Sequence, residues 1–236
     1  MRDALVFNGA SNLDFQDIRS NVIRIPEVIQ RIRQAQEIWD QQSAATLDLA
    51  TFIAADDNVF VGHIRLKSFA TAVVQVGLLD RYLRHHKLPE FVIGASNGDS
   101  PLKVAVGHIS FEEMVATSPS VTNVATRTLK PAGGSGLELP VLSGIQLVEY
   151  SVFQRTDAEF RMVPSDSKDM EKMVVELVES HDVERLIMVG PGHSIFGRKM
   201  RELTEREVQV LESIDLDPML TWFWSNLKEN RLAVAN

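Results

Sequence analysis

Three short, continuous runs of apolar residues constrain the fold of this chain more than any other feature. They span residues 4–7, 91–93 and 186–189, and a glycine follows each run within two residues. Apolar runs of this length without polar alternation are typical of strands buried on both faces. Such strands belong to parallel sheets, whose helical crossovers cover both sides. We therefore predict an α/β protein with three layers, in which a mostly parallel sheet carries helices on both faces.

Segments with helical periodicity separate these runs. A helix is predicted to start at Pro26, a residue that suits a first helical turn, and to continue to about Gln41. The longest predicted helix runs from 61 to about 87, and it is apolar on so many sides that we expect burial on more than one of them. Residues 9–19 are polar and are predicted to form a loop. The other predicted elements are helices over 46–55, 110–116, 165–180 and 218–227, and strands over 137–153 and 208–214.

The stretch 117–136 interrupts this alternation. It contains Pro119, Pro131 and the cluster Gly133-Gly134-Ser135-Gly136, a composition that predicts a flexible loop. No internal repeat divides the sequence. We expect residues 1–236 to form one α/β domain, since this length suits a single domain.

Composition excludes several classes of function. The formal net charge is -8, from 32 acidic and 24 basic residues, which argues against nucleic acid as a partner. There are no cysteines, so disulfides, thiolate catalysis and Cys-based zinc sites are excluded. No histidines are paired at a metal-ligand spacing, and no metal or cofactor is predicted. No apolar run approaches the roughly 20 residues needed to span a bilayer, and the first residues do not have the pattern of a signal peptide. We expect a cytoplasmic protein.

A sharp turn is predicted directly after the second apolar run, in Gly94-Ala95-Ser96-Asn97-Gly98. A Gly-x-Ser-x-Gly pattern between a strand and a helix is the nucleophile elbow, which projects the serine hydroxyl from a tight turn. The N–H groups at the start of the following helix can then stabilise an oxyanion. Pro101 lies close to that predicted helix start. The alternative is an ordinary strand–helix turn whose serine hydrogen-bonds to the backbone.

Several motifs, taken in order, resemble the malonyl-CoA:acyl-carrier-protein acyltransferases, including the acyltransferase domains of polyketide synthases. Gly94-Ala95-Ser96-Asn97-Gly98-Asp99 resembles the family's Gly-His-Ser-Leu-Gly-Glu, and Val189-Gly190-Pro191-Gly192 resembles a second family signature. The resemblance covers most of the chain and also includes Val6-Phe7-Asn8-Gly9, the long helix over 66–83, and residues 106–115, 139–143 and 183–192. It implies a serine that takes an acyl group from a thioester and passes it to a carrier-protein thiol.

The chain also departs from the family pattern. Family members carry a ferredoxin-like subdomain after the elbow region, but only about two dozen residues separate Val115 from Pro140 here. We therefore expect the acyltransferase large subdomain without this insertion. The family's catalytic histidine lies shortly after that subdomain, whereas this chain has no histidine between His108 and His181.

Other family residues are replaced as well. The histidine before the nucleophile is Ala95, and the glutamine near the first strand is absent from Asn8-Gly9-Ala10-Ser11. Arg127 is out of register with the arginine that holds the malonyl carboxylate. Loss of a Ser-His base costs several orders of magnitude in rate, so the family reaction is expected to be impaired unless another residue substitutes.

His193 is the candidate substitute base, since it follows the 190–192 turn at the edge where sites of α/β proteins gather. The alternative is a solvated histidine at a loop or helix start, and His63 is a second candidate base. The remaining histidines, His85, His86, His108 and His181, are interpreted as helix-end or turn residues. Asp99 is either a carboxylate of the site or a helix cap. The predicted catalytic residues are Ser96 and His193, and the predicted oxyanion or pocket residues are Asn97, Gly9, Ala10, Gly190 and Gly192.

Two classes of function remain open at this point. The first is an acyltransferase-like enzyme of fatty-acid or polyketide metabolism, or an acyl-thioester hydrolase, that acts through Ser96. It would need no cofactor, and its substrate would be an acyl-CoA or acyl-carrier-protein thioester. The second is a non-catalytic relative that binds an acyl-carrier protein, an acyl chain or a synthase component. The missing subdomain is expected to leave an apolar face, through which copies of the chain could self-associate.

Overall fold

A sheet with six strands in the described part of the chain organises the fold. The computed structural model describes residues 2–9, 13, 16–95, 99–118, 150–156, 159–163, 170–190, 202 and 204–221. The strands are β1 (Asp3–Phe7), β2 (Phe91–Ala95), β3 (Tyr150–Thr156), β4 (Glu159–Met162), β5 (Arg185–Met188) and β6 (Gln209–Glu212). Their order in the sheet is β4-β3-β2-β1-β5-β6. The pairs β1–β2, β1–β5 and β5–β6 are parallel, and β2–β3 and β3–β4 are antiparallel.

Helices lie on both faces of this sheet. They are α1 (Gln16–Val22), α2 (Pro26–Gln42), α3 (Leu49–Ala54), α4 (Asp57–Gly62), α5 (Ile64–Leu83), α6 (Asp99–Ala105), α7 (Phe111–Ala116) and α8 (Met170–Ser180). A 3₁₀ turn (Ser213–Leu216) follows β6. In the described part of the chain, no helix is long and apolar enough to cross a membrane.

The alternation of side chains along the central strands builds two cores. In β1, Leu5 and Phe7 point into one core, whereas Ala4 and Val6 point into the other. The first core takes apolar residues from α1 to α7, and the second takes them from α8. The strands are therefore covered on both faces, as their continuous apolar character predicts. The predicted three-layer α/β class with a mostly parallel sheet is confirmed.

Several predicted elements differ from the observed ones. The prediction of a loop over 9–19 is wrong, because α1 begins at Gln16. Arg19 occupies part of the buried face of α1, so the apolar periodicity that indicates a helix is weak in this segment. The predicted helix over 61–87 is two helices, α4 and α5, because His63 has the non-helical angles φ -113° and ψ 64°.

The middle of the chain is described in part. The predicted strand over 137–153 corresponds to β3, which starts at Tyr150 and runs antiparallel to β2. Residues 119–149 lie outside the described part, so the flexible loop over 117–136, the absence of an inserted subdomain and the single domain stay predictions. Every strand that the structure describes belongs to the one sheet.

Arg19, in α1 after β1, holds that helix against the turn between α3 and α4. Its side chain is fully buried, and its Nε and Nη2 atoms donate to the carbonyl oxygens of Ile53 and Ala55 at 3.0 and 2.6 Å. Nη1 donates to Asp57 Oδ1 at 2.5 Å, and the guanidinium carbon lies 4.2 Å from the centre of the Phe60 ring. A buried charge is tolerated only when it is paired and hydrogen-bonded. These bonds therefore tie α1 to the turn between α3 and α4.

Helix α5 is the most deeply buried helix that the structure describes, and α2 crosses it at very short range. A Cβ atom built on Gly77 would lie 2.6 Å from Val28 Cα, which is closer than real contacts allow. Only hydrogen fits at this position, so Gly77 sets the separation of the two helices.

We predict that Gly77→Ala destabilises the protein by about 1–3 kcal/mol, because overpacking against a backbone atom outweighs alanine's higher helix propensity. Urea unfolding monitored by circular dichroism measures this change. Gly62→Ala is the matched control, since a Cβ at Gly62 meets nothing within 4 Å. Equal midpoints for the two variants would show that the α2–α5 contact is not as tight as described.

A partly buried group of ion pairs joins α2, the end of α5 and the residues after β6. Arg81 Nε lies 2.6 Å from Asp217 Oδ2, and Arg84 Nε lies 2.5 Å from Oε1 of the buried Glu27. Burial by itself would raise the pKa of Asp217. The hydrogen bond from Arg81, the N–H groups of Leu220 and Met219, and the Arg81 charge outweigh this effect and hold the pKa below its ordinary value.

A carboxyl whose pKa is lowered by folding stabilises the protein above its unfolded pKa, and this contribution is lost as the pH falls through the folded pKa. We therefore predict that Asp217→Asn lowers the melting temperature at pH 7 and that the difference from wild type shrinks below about pH 4. Thermal melts from pH 7 to pH 3 measure this. Asp182→Asn is the control. Arg206 also lowers the pKa of Asp182, but the Asp182 side chain is 64% exposed, so solvent screens this pair. A constant difference between wild type and Asp217→Asn at all pH values would contradict the prediction.

Candidate functional site

The carboxyl ends of three parallel strands meet at one edge of the sheet. Phe7 of β1 pairs with Gly94 of β2, and Val6 pairs with Met188 of β5. The N–H of Val189 also donates to Val6 O at 2.9 Å, so the backbone just beyond β5 is held against β1. Sites of α/β proteins form where parallel strands end, beyond their carboxyl ends. We call this the carboxyl edge, and the candidate site lies there.

The predicted site residues come from the three chain segments that leave this edge. Gly9 follows β1 and Gly190 follows β5; both are buried, with φ angles of 45° and 139° that L side chains rarely adopt. Each of these positions therefore favours glycine for its backbone conformation. The other predicted residues, Ala10, Ser96, Asn97, Gly192 and His193, lie outside the described residues, and their proposed roles stay predictions.

The predicted nucleophile lies in the chain between β2 and α6. Strand β2 ends at Ala95 and α6 begins at Asp99, so only residues 96–98 separate the strand from the helix. A strand, a short connection and a helix are the context that a nucleophile elbow requires. Leu102 of α6 is fully buried in the core, which anchors the helix behind the connection.

Gly107 ends α6. It has a φ of 75°, and the N–H groups of the next two residues, His108 and Ile109, both donate to Lys103 O. A left-handed residue after the last turn is the common way to satisfy the last carbonyl groups of a helix. The length of the helix that follows the predicted elbow is thus set at this glycine.

A row of buried polar side chains on α5 is a feature that sequence reasoning missed. Lys67, Thr71 and Gln75 follow one another at four-residue spacing, so they share one side of the helix. They are only 8%, 0% and 0% exposed, and we call them the polar ridge. Gln75 Nε2 donates to Val189 O at 3.0 Å. Polar residues at helical spacing in an otherwise apolar helix are the signal that could have found them.

The orientation of α5 points the polar ridge toward the carboxyl edge. Tyr82, near the end of α5, interacts electrostatically with Asp3 and Arg185, the first residues of β1 and β5. Burial raises the pKa of the Tyr82 hydroxyl, and the Asp3 charge adds to this effect. The end of α5 is thus at the amino edge of the sheet. The start of the helix, where Lys67 lies, is on the side of the carboxyl edge, and Lys67 Nζ is 5.9 Å from the centre of the Phe60 ring.

Most of the described histidines have local roles. His85 and His86 follow α5 near the amino edge, and His86 stacks on Tyr82 with 4.7 Å between ring centres. The His181 ring packs on Phe91, the first residue of β2, at 5.3 Å. His63, the second candidate base, is exposed, and its Nδ1 lies 2.8 Å from Val59 O. His85 and His86 are interpreted from the sequence as helix-end residues and His181 as a turn residue, and they follow α5 and α8 respectively.

No model of a known protein family matches the sequence, and no curated protein matches it. Solved structures do resemble the fold. The malonyl-CoA:ACP transacylase of Synechocystis sp. PCC 6803 has a TM-score of 0.59 at 14% identity, over 90% of this chain and 97% of that one. The malonyl CoA-acyl carrier protein transacylase of Clostridium perfringens has a TM-score of 0.58 at 11% identity, over all of both chains.

A third structure agrees with these two. The acyl carrier protein S-malonyltransferase of Vibrio cholerae has a TM-score of 0.53 at 14% identity, over 90% of this chain and 96% of that one. Identities this low show the fold alone. The chain therefore has the acyltransferase-like α/β fold that the elbow and the 189–192 motif predict.

We predict that Gly107→Ala destabilises the protein by about 1 kcal/mol, because an L side chain at positive φ strains the backbone. A Cβ at this position meets nothing within 4 Å, so no steric clash adds to the strain. Gly107→Asn is the matched control, since asparagine tolerates this conformation better. Chemical denaturation of the two variants is the measurement, and an alanine variant as stable as wild type would contradict the assignment of this helix end.

Proposed function

We propose that this protein transfers acyl groups through an acyl-enzyme formed on Ser96. The observation that carries the proposal is the position of Ser96 in the chain: it is the first residue after β2, at the carboxyl edge, three residues before α6. The same fold is found in proteins named as malonyl-CoA:ACP transacylases, and this likeness supports thioester chemistry over other serine reactions.

The proposed reaction has two steps. Ser96 Oγ attacks the carbonyl carbon of an acyl thioester, the C–S bond breaks, and the serine proton passes through a base to the departing thiol. A second thiol then attacks the ester carbonyl and takes the acyl group, and Ser96 regains its proton. We assign the second thiol to an acyl-carrier protein, because the similar structures are named for that partner. Fatty-acid or polyketide metabolism is the corresponding setting.

His193 is the proposed base, and it would take the serine proton in the first step. Asn97, Gly9, Ala10, Gly190 and Gly192 are the proposed oxyanion and pocket residues, since all leave the carboxyl edge or follow a strand that ends there. One observation supports this assignment: His86 packs on Tyr82 and His181 packs on Phe91, near the amino edge, whereas Ser96 follows the carboxyl end of β2 in the sequence. Without a base, serine is a poor nucleophile, and the protein would then retain only a binding role.

The test is intact-mass spectrometry after incubation with a panel of acyl-CoA thioesters, including malonyl-CoA and acetyl-CoA. We expect an acyl adduct on the wild-type protein and none on Ser96→Ala. His193→Ala should slow adduct formation by several orders of magnitude, as loss of a Ser-His base does. His85→Ala is the matched control, because its side chain lies near the opposite edge, and its rate should equal that of wild type.

The outcomes separate the candidate functions. An adduct that passes to the thiol of an acyl-carrier protein supports the transferase, and an adduct that water removes faster supports a thioester hydrolase. If the wild-type protein forms no adduct and hydrolyses no thioester, the enzymatic proposal is wrong, and the non-catalytic binding role becomes the better one.

A further inference from the structure

We propose that Gln75 is a positioning residue, which holds the turn after β5 at the carboxyl edge through its bond to Val189 O. The inference rests on the proposed function, because this turn leads to the proposed base, His193. Gln75 and Val189 are 114 residues apart in sequence, and their 3.0 Å hydrogen bond is buried. The bond joins the polar ridge of α5 directly to the chain that enters the candidate site.

The backbone of Val189 is held from two different elements. Its N–H donates to Val6 O of β1 at 2.9 Å, and its carbonyl oxygen accepts a hydrogen bond from Gln75 Nε2. The next residue, Gly190, has a φ of 139°, so the chain changes direction directly after this clamp. Both backbone polar groups of Val189 are hydrogen-bonded, so the chain leaves β5 from a defined position.

The energetic cost of burying the Oε1 atom of Gln75, which has no partner among the described residues, supports a positioning role. Its side chain is fully buried, and within the described part of the protein its Oε1 atom has no hydrogen-bond partner. A buried polar atom without a partner destabilises the folded state, so the Oε1 atom offsets part of the stability that the Nε2 bond to Val189 O contributes. Among the described residues, the buried hydroxyl of Thr71, one turn earlier on the polar ridge, has no hydrogen-bond partner either. Stability alone therefore does not account for glutamine at this position.

Hydrogen exchange measured by mass spectrometry tests the clamp without relying on any reaction. The variant Gln75→Met keeps the length of the side chain and removes its donor, and Thr71→Val is the matched control, because Thr71 makes no described bond to Val189. We expect the peptide over 183–190 to exchange about three- to tenfold faster in Gln75→Met, as loss of one hydrogen bond predicts. Peptides from β2 and α8 should be unchanged, and Thr71→Val should match wild type.

A second variant separates positioning from simple packing. In Gln75→Glu, a protonated carboxyl can donate to Val189 O, whereas an ionised one cannot. The rate of acyl-adduct formation on Ser96, divided by the wild-type rate at the same pH, should therefore rise toward one as the pH is lowered. A pH-independent ratio would show that the donor at position 75 does not control the site.

The two readouts distinguish the possible failures. Unchanged exchange over 183–190 in Gln75→Met, or an equal increase in all peptides, would overturn the positioning role. If the wild-type protein forms no adduct, the proposed function fails, and hydrogen exchange alone then decides whether Gln75 holds the turn.

Discussion

Helix α5 passes so close to α2 that only a hydrogen atom fits at Gly77, and much of the structure depends on this contact. The helix packs on the sheet, on α2 and on the short helices around it, and most of its side chains are buried. Near its start Lys67 lies against the Phe60 ring, and near its end Arg81 donates to Asp217, so the helix contacts other chain segments at both ends. A rigid central helix of this kind lets a polar group on its surface act at a defined place.

Burial explains which elements could be predicted from the sequence. Strands β1, β2 and β5 are covered on both faces, so nearly every residue in them is apolar and the signal is continuous. Strand β3 was predicted only approximately, since it lies toward the sheet edge and runs antiparallel. Helix α1 was missed because Arg19, fully buried and held by carbonyl oxygens, occupies a position where the periodic pattern calls for an apolar residue.

The candidate site was predictable to a different extent. Turns at Gly9 and Gly190 were predicted because a glycine within two residues of a buried strand indicates a turn, and their positive φ angles agree with this. Their roles in the site stay predictions. Gln75 was not found, because its partner is a backbone carbonyl 114 residues away, and no local pattern carries that information. The break at His63 was missed for a related reason, since both sides of it are apolar and helical. Contacts that depend on tertiary distance leave little trace in the local sequence.

Strand β4 has a consequence for how the molecule behaves among its copies. It is the last described strand on its side of the sheet, and it has only four residues, of which Glu159, Arg161 and Met162 are exposed. The Phe160 ring is partly covered by the Arg155 guanidinium, whose carbon lies 5.0 Å from the ring centre. Short edge strands with charged side chains are poor templates for strand pairing between molecules. On this side, the sheet resists growth into intermolecular aggregates at high protein concentration.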